Sequence, residues 1–136
     1  MSATTVYWTS TALLSLLYLA SAALHIVQSA SVRKTLVVLG YPGYLLPILV
    51  AVKLLFVLAV LSRFSIALSD LAYAGALFHL LLSGAAHIGV RKPAAALPAA
   101  VGLVLLAASF TTQNAARALP SPYALESVAA PFRHLL

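Results

Sequence analysis

The sequence predicts an all-α membrane protein: a bundle of four transmembrane helices, with a short interfacial helix between the first and second. Three observations predict it. Hydrophobic residues make up 63% of the 136-residue chain and charged ones only 7%, whereas a soluble domain carries charge on about a quarter of its residues. The mean hydropathy is +1.07. The apolar residues also gather into four runs, each long enough for the about 20 residues that a helix needs to cross ~30 Å of hydrocarbon. Barrel-type alternation is absent, and a lipid-facing backbone must satisfy its own hydrogen bonds, so helices are the expected spans.

The first span is expected at about 6–28, as VYWTSTALLSLLYLASAALHIVQ. Its apolar run is long and no basic stretch precedes it, so a retained helix is expected rather than a cleaved signal peptide, although ASA occurs at 20–22. Residues 32–39, VRKTLVVL, read as the short helix at the interface, with Arg33 and Lys34 among the headgroups. The second span is expected at 44–61, ahead of Ser62 and Arg63, and the third at 66–88, ahead of Gly89 and the pair Arg91–Lys92. The fourth, 93–114, opens on Pro93, a residue suited to a first helical turn, and fades through Thr111, Thr112, Gln113 and Asn114. Residues 1–116 are thus read as one membrane domain. Residues 117–136, which hold Pro120, Pro122 and Pro131, are read as a surface tail.

The formal net charge is +6, from eight lysines and arginines against two acids. No basic cluster is dense enough to follow a phosphate backbone, so nucleic acid is not an expected partner. Membrane lipid is, because basic residues beside spans favour anionic headgroups. Arg33, Lys34, Arg91 and Lys92 flank one side, and Arg63, Arg117 and Arg133 the other. That asymmetry tips both chain ends outward. The chain has no cysteine, which excludes disulfides, thiol catalysis and cysteine-ligated clusters.

Lys53, near the middle of the second span, is the main functional clue. Charge at that depth costs at least about 2.5 kcal/mol, and from mid-span the stem barely reaches the headgroups. A cavity-facing lysine with a functional role is expected; a structural hydrogen bond is the alternative. The first span carries a stripe of Thr11, Ser15, Tyr18, Ala22, His25 and Ser29 in steps of three and four. The third carries Ala72, Ala76, His79, Ser83 and His87. Small and polar faces of this kind point into a bundle, where polar groups find partners.

At 1.5 Å of rise per residue, Tyr18, Lys53 and His79 fall in one layer roughly 15 Å deep. They are the candidate ligand-binding residues. Asp70 joins them as a carboxylate that either pairs with Arg63 at the membrane edge or faces Lys53 or His79 across the cavity. His25 and His87, with Ser83, form a second layer nearer the loops that hold Arg33 and Arg91. Two histidines on separate helices are weak grounds for axial ligation of haem, so haem is disfavoured, and no metal-ligand cluster is visible.

Two stretches carry a resemblance. LGYPGYLLPILVAVKLL at 39–55 and LSDLAYAGALFHLLLSGAAHI at 68–88 resemble the DoxX-like family of small four-helix membrane proteins. The matching elements are Gly40-Tyr41-Pro42, Lys53, Asp70, Ala72-Tyr73-Ala74-Gly75, Gly84-Ala85 and His87. Trp8, with Ser10 or Thr11, looks like the family's tryptophan-containing start of the first helix. Asp70 stands where the family usually has glutamate, and Leu71 where it usually has tryptophan. The resemblance implies a bacterial cytoplasmic membrane protein, a quinone ligand and oxidoreductase partner proteins, since the family takes its name from subunits associated with thiosulfate:quinone oxidation.

The expected function is therefore a ligand- or quinone-binding accessory subunit of a membrane oxidoreductase system. One alternative is a small membrane enzyme that performs acid–base isomerisation of a lipophilic substrate, with Lys53 as base. Another is a non-catalytic assembly or chaperone-like protein. A channel or transporter is a further reading; four short helices leave little room for a path within one copy, and a homo-oligomer would serve it better.

Overall fold

The computed structural model describes residues 2–118 and 120–125. It is all-α among these residues. The helices are α1 (Ala3–Val27), α2 (Ser29–Val38), α3 (Leu45–Ser62), α4 (Ile66–Gly89) and α5 (Leu97–Thr112), with 3-10 turns at Pro93–Ala96 and Gln113–Ala116 on either side of α5. Among the described residues, four helical segments are long and apolar enough to cross a membrane: Ala3–Val27, Leu45–Ser62, Ile66–Gly89 and Pro93–Ala116.

Local chemistry sets the helix ends. Ser2 and Ser65 cap α1 and α4, their side chains accepting from the backbone N–H of Thr5 and Leu68 at 3.2 and 3.3 Å. Each thereby satisfies an N–H that has no partner within its own helix. At the end of α2, the Gly40 N–H donates to the Val37 carbonyl and the Tyr41 N–H to the Leu36 carbonyl, at 3.0 and 2.8 Å. That paired closure needs a left-handed residue, and Gly40 supplies it at φ +90°. The GYP sequence is thus the turn that directs the chain from α2 into α3. The fourth span begins as a 3-10 turn, because Pro93 and Pro98 both lack an N–H in this region.

The spans form a ring in which α1 lies against α3 and α5, and α4 against the same two helices. Their shared core contains Leu14, Tyr18, Phe56, Val57, Tyr73, Leu80 and Leu106. Aromatic rings cross it edge to face, Tyr18 against Phe56 at 4.8 Å and Tyr73 against Phe110 at 5.4 Å, a favoured geometry for ring quadrupoles. Gly102 brings α5 close: a Cβ there would come within 2.9 Å of Leu80 and 3.3 Å of Leu17.

Burial is the reverse of a soluble protein's. Leu16, Leu55, Leu58, Phe78 and Val104 are exposed on the spans, while Ser10, Thr11, Ser15, Lys53, Ser69 and Ser109 are buried. Such a surface is soluble only in lipid. The chain is a four-helix membrane-spanning bundle.

Candidate ligand-binding site

The core holds a polar cluster that crosses the bundle. Lys53 lies eight residues into α3, roughly 12 Å along its axis, and is 4% exposed. Its Nζ donates to Ser21 Oγ of α1 at 2.6 Å and lies 3.1 Å from His25 Nε2. Across the ring, Tyr18 OH of α1 hydrogen-bonds His79 Nδ1 of α4 at 3.0 Å. Tyr18, Lys53 and His79, which the sequence puts in one layer, all line the same cavity.

His25 lines the α2-side cavity with Ser83 and His87 and is also joined to Lys53. Residue counting places it in a second layer with His87 and does not show the contact with the Lys53 amine. Side chains on a helix lean toward its N-terminus, and α3 begins at the α2 end of the bundle. The long Lys53 stem therefore carries its amine toward His25. Ser21 is absent from the stripe drawn along the first span, yet it makes the shorter of the two Lys53 contacts. Its spacing is legible afterwards: three residues after Tyr18 and four before His25, on the same helix face.

Two cavities meet at this cluster. The first, about 400 Å³, opens toward the α2 end and is lined there by Val32, Leu36, Tyr41 and Pro98, with Ser83 and His87 on α4. The second, about 620 Å³, is a groove between α3 and α4 that extends toward Ser62, Phe64 and Leu68 at the opposite end. Tyr18, Leu49, Lys53 and His79 line both. Each volume falls in the range of small-molecule sites.

Among the described residues, the Lys53 charge has only neutral neighbours. No carboxylate among the described residues lies within ion-pair distance of it, and Asp70, the acid in the described region, is held elsewhere. Its Oδ1 accepts from Gln113 Nε2 at 3.3 Å and its Oδ2 from Ser121 Oγ at 2.7 Å. Asp70 borders neither cavity. Arg63, the other expected partner of Asp70, instead donates to the Ala116 carbonyl and lies over the Trp8 ring, 5.4 Å from its centre. The candidate set is thus divided, with Tyr18, Lys53, His79 and His25 together and Asp70 in a separate network.

That second network joins the end of the fourth span to the residues after it. Asn114 accepts from the Ser121 N–H at 2.7 Å and donates to the Ser121 carbonyl at 2.9 Å, while Arg117 Nε donates to Gln113 Oε1 at 3.0 Å. Gln113, Asn114 and Ser121 are all buried. Residues 120–125 therefore contain an anchor, where sequence composition reads only a surface tail. A third group joins three helices: Ser109 Oγ hydrogen-bonds Thr11 of α1 at 2.6 Å and Tyr73 of α4 at 2.7 Å. Among the described residues, no three histidines or acids are placed to hold a metal ion.

Compared with protein-family models, curated proteins and solved structures, the chain has no match.

Proposed function

We propose that this protein binds a small amphipathic molecule at mid-membrane, with Lys53 as the residue that takes its polar head. The observation that carries this reading is the Lys53 ammonium, buried in a spanning helix, bonded among the described residues only to neutral groups and bordering both cavities. An ammonium has three N–H donors; Ser21 and His25 take two, which leaves one for an acceptor in the cavity. Intramembrane charge is costly to retain unless it contacts a partner or ligand. His79 lines the same cavities, and Tyr18 fixes the ring's orientation through Nδ1.

The resemblance of residues 39–55 and 68–88 to DoxX-like proteins favours a quinone or phenolic ligand, and an accessory place beside a membrane oxidoreductase in a bacterial cytoplasmic membrane. That part is analogy. The test is solvent extraction and mass spectrometry of purified protein. Lys53→Ala should lose a copurifying ligand that wild type retains while keeping its helical content; equal ligand content in both would sink the reading.

The hydrogen-bonded Tyr18–His79 pair favours a second reading, an acid–base enzyme acting on a lipophilic substrate, because a phenol and imidazole beside an amine can relay a proton. Turnover abolished in both Lys53→Met and His79→Phe proteins of intact fold would favour catalysis over binding alone.

A further inference from the structure

The groove between α3 and α4 has a shape and lining that the binding of a compact headgroup does not require. Apart from Tyr18, Lys53, His79 and Ser62, its lining residues are all apolar. Its mouth lies among Leu55, Leu58, Phe64 and Leu71, which are 62%, 64%, 85% and 69% exposed. On a spanning bundle those side chains face acyl chains, so the groove opens sideways into lipid. Gly75 widens it, since a Cβ built there meets nothing within 4 Å. At its inner end stands the Lys53 amine, whose charge no described carboxylate balances.

We propose that the ligand is a single-chain anionic amphiphile, a carboxylate on a hydrocarbon tail, that enters from the bilayer between α3 and α4. This rests on the reading of Lys53 as the headgroup residue, and puts a carboxylate in place of the quinone or phenol that analogy favours. The carboxylate accepts the third N–H of Lys53 and supplies the missing negative charge. A charge-assisted hydrogen bond in a low-dielectric site is stronger than a neutral one, so an anion fits the amine better than a ketone does. The tail occupies the α3–α4 groove, where it replaces lipid contacts with contacts to Val52, Phe56, Ala72 and Ala76. The cavity on the α2 side then leaves room for water or a polar substituent around the head.

The test uses the 136-residue chain in nanodiscs of zwitterionic phosphatidylcholine, with oleate, methyl oleate and butyrate as probes. Oleate should bind one to one. Methyl oleate, which lacks the charge, and butyrate, which lacks the tail, should each bind more weakly by about tenfold or more. Gly75→Leu fills the groove without meeting a neighbour at Cβ and should abolish oleate binding. Ala74→Leu, on the lipid-exposed side of the same helix, should leave it intact.

Binding that requires Lys53 but ignores chain length and Gly75→Leu would overturn the groove assignment and leave the headgroup reading standing. Binding blocked by Gly75→Leu yet equal for oleate and methyl oleate, and unchanged in Lys53→Met, would overturn the anionic head and the Lys53 reading together. Absence of oleate binding to a folded wild-type protein would overturn the proposal outright.

Discussion

At Lys53 the proposed binding role opposes the energetic demands of folding. A buried cation with two neutral partners is a poor structural element, because its desolvation is not offset by an opposite charge. Lys53→Met keeps most of the volume and removes that cost, so thermal unfolding in detergent should show an equal or higher midpoint with ligand binding lost. A purely structural lysine would give a lower midpoint instead. The Tyr18–His79 bond makes the opposite prediction. His79→Phe leaves the Tyr18 hydroxyl without its partner and should cost about 1–3 kcal/mol, whereas adding Tyr18→Phe should restore part of that loss in a double-mutant cycle. The sequence made Lys53, Tyr18 and His79 legible because charge and polarity stand out in an apolar run. It left Ser21 obscure, since a stripe stepping from Tyr18 to Ala22 passes beside it, and axial rise takes no account of how far a lysine stem leans.

Among the elements, the spans were readable to within a few residues because hydrophobic length is what a membrane selects. The expected 66–88 and observed Ile66–Gly89 nearly coincide. The fourth span departs at both ends, opening and closing as 3-10 turns around α5, because two prolines disturb its start and polar residues take over its finish. Three glycines carry element-scale predictions. Gly40 closes α2 at φ +90°, so Gly40→Ala should cost about 1–2 kcal/mol through left-handed strain, read as a fall in unfolding midpoint. Gly102 seats α5 against Leu80 and Leu17. Gly102→Val should cost about 1–3 kcal/mol by overpacking, while Gly89→Ala, where a Cβ meets nothing within 4 Å, should be tolerated.

Across the whole molecule, the ring order of the helices puts α1 and α4 on a diagonal, and the Tyr18–His79 bond spans it. Periodicity showed each polar face separately, but only the folded arrangement shows that the two meet, with α3 contributing the charge from the side. The Asp70 network sits at the other end of the bundle, nine residues or roughly 14 Å along α4 from His79. The two ends should therefore respond independently. Asp70→Ala removes the acceptor for Gln113 and Ser121 and should make residues 120–125 more susceptible to limited proteolysis, with ligand content unchanged. Loss of ligand in that variant would mean that the two networks are coupled.

The central claim, that a membrane-buried lysine holds an amphipathic ligand, is tested most directly by native mass spectrometry of wild-type and Lys53→Met proteins released from lipid nanodiscs. The account predicts a stoichiometric non-protein mass on the wild type that is absent from a folded Lys53→Met protein. The same bound mass on both, or none on either, would contradict it.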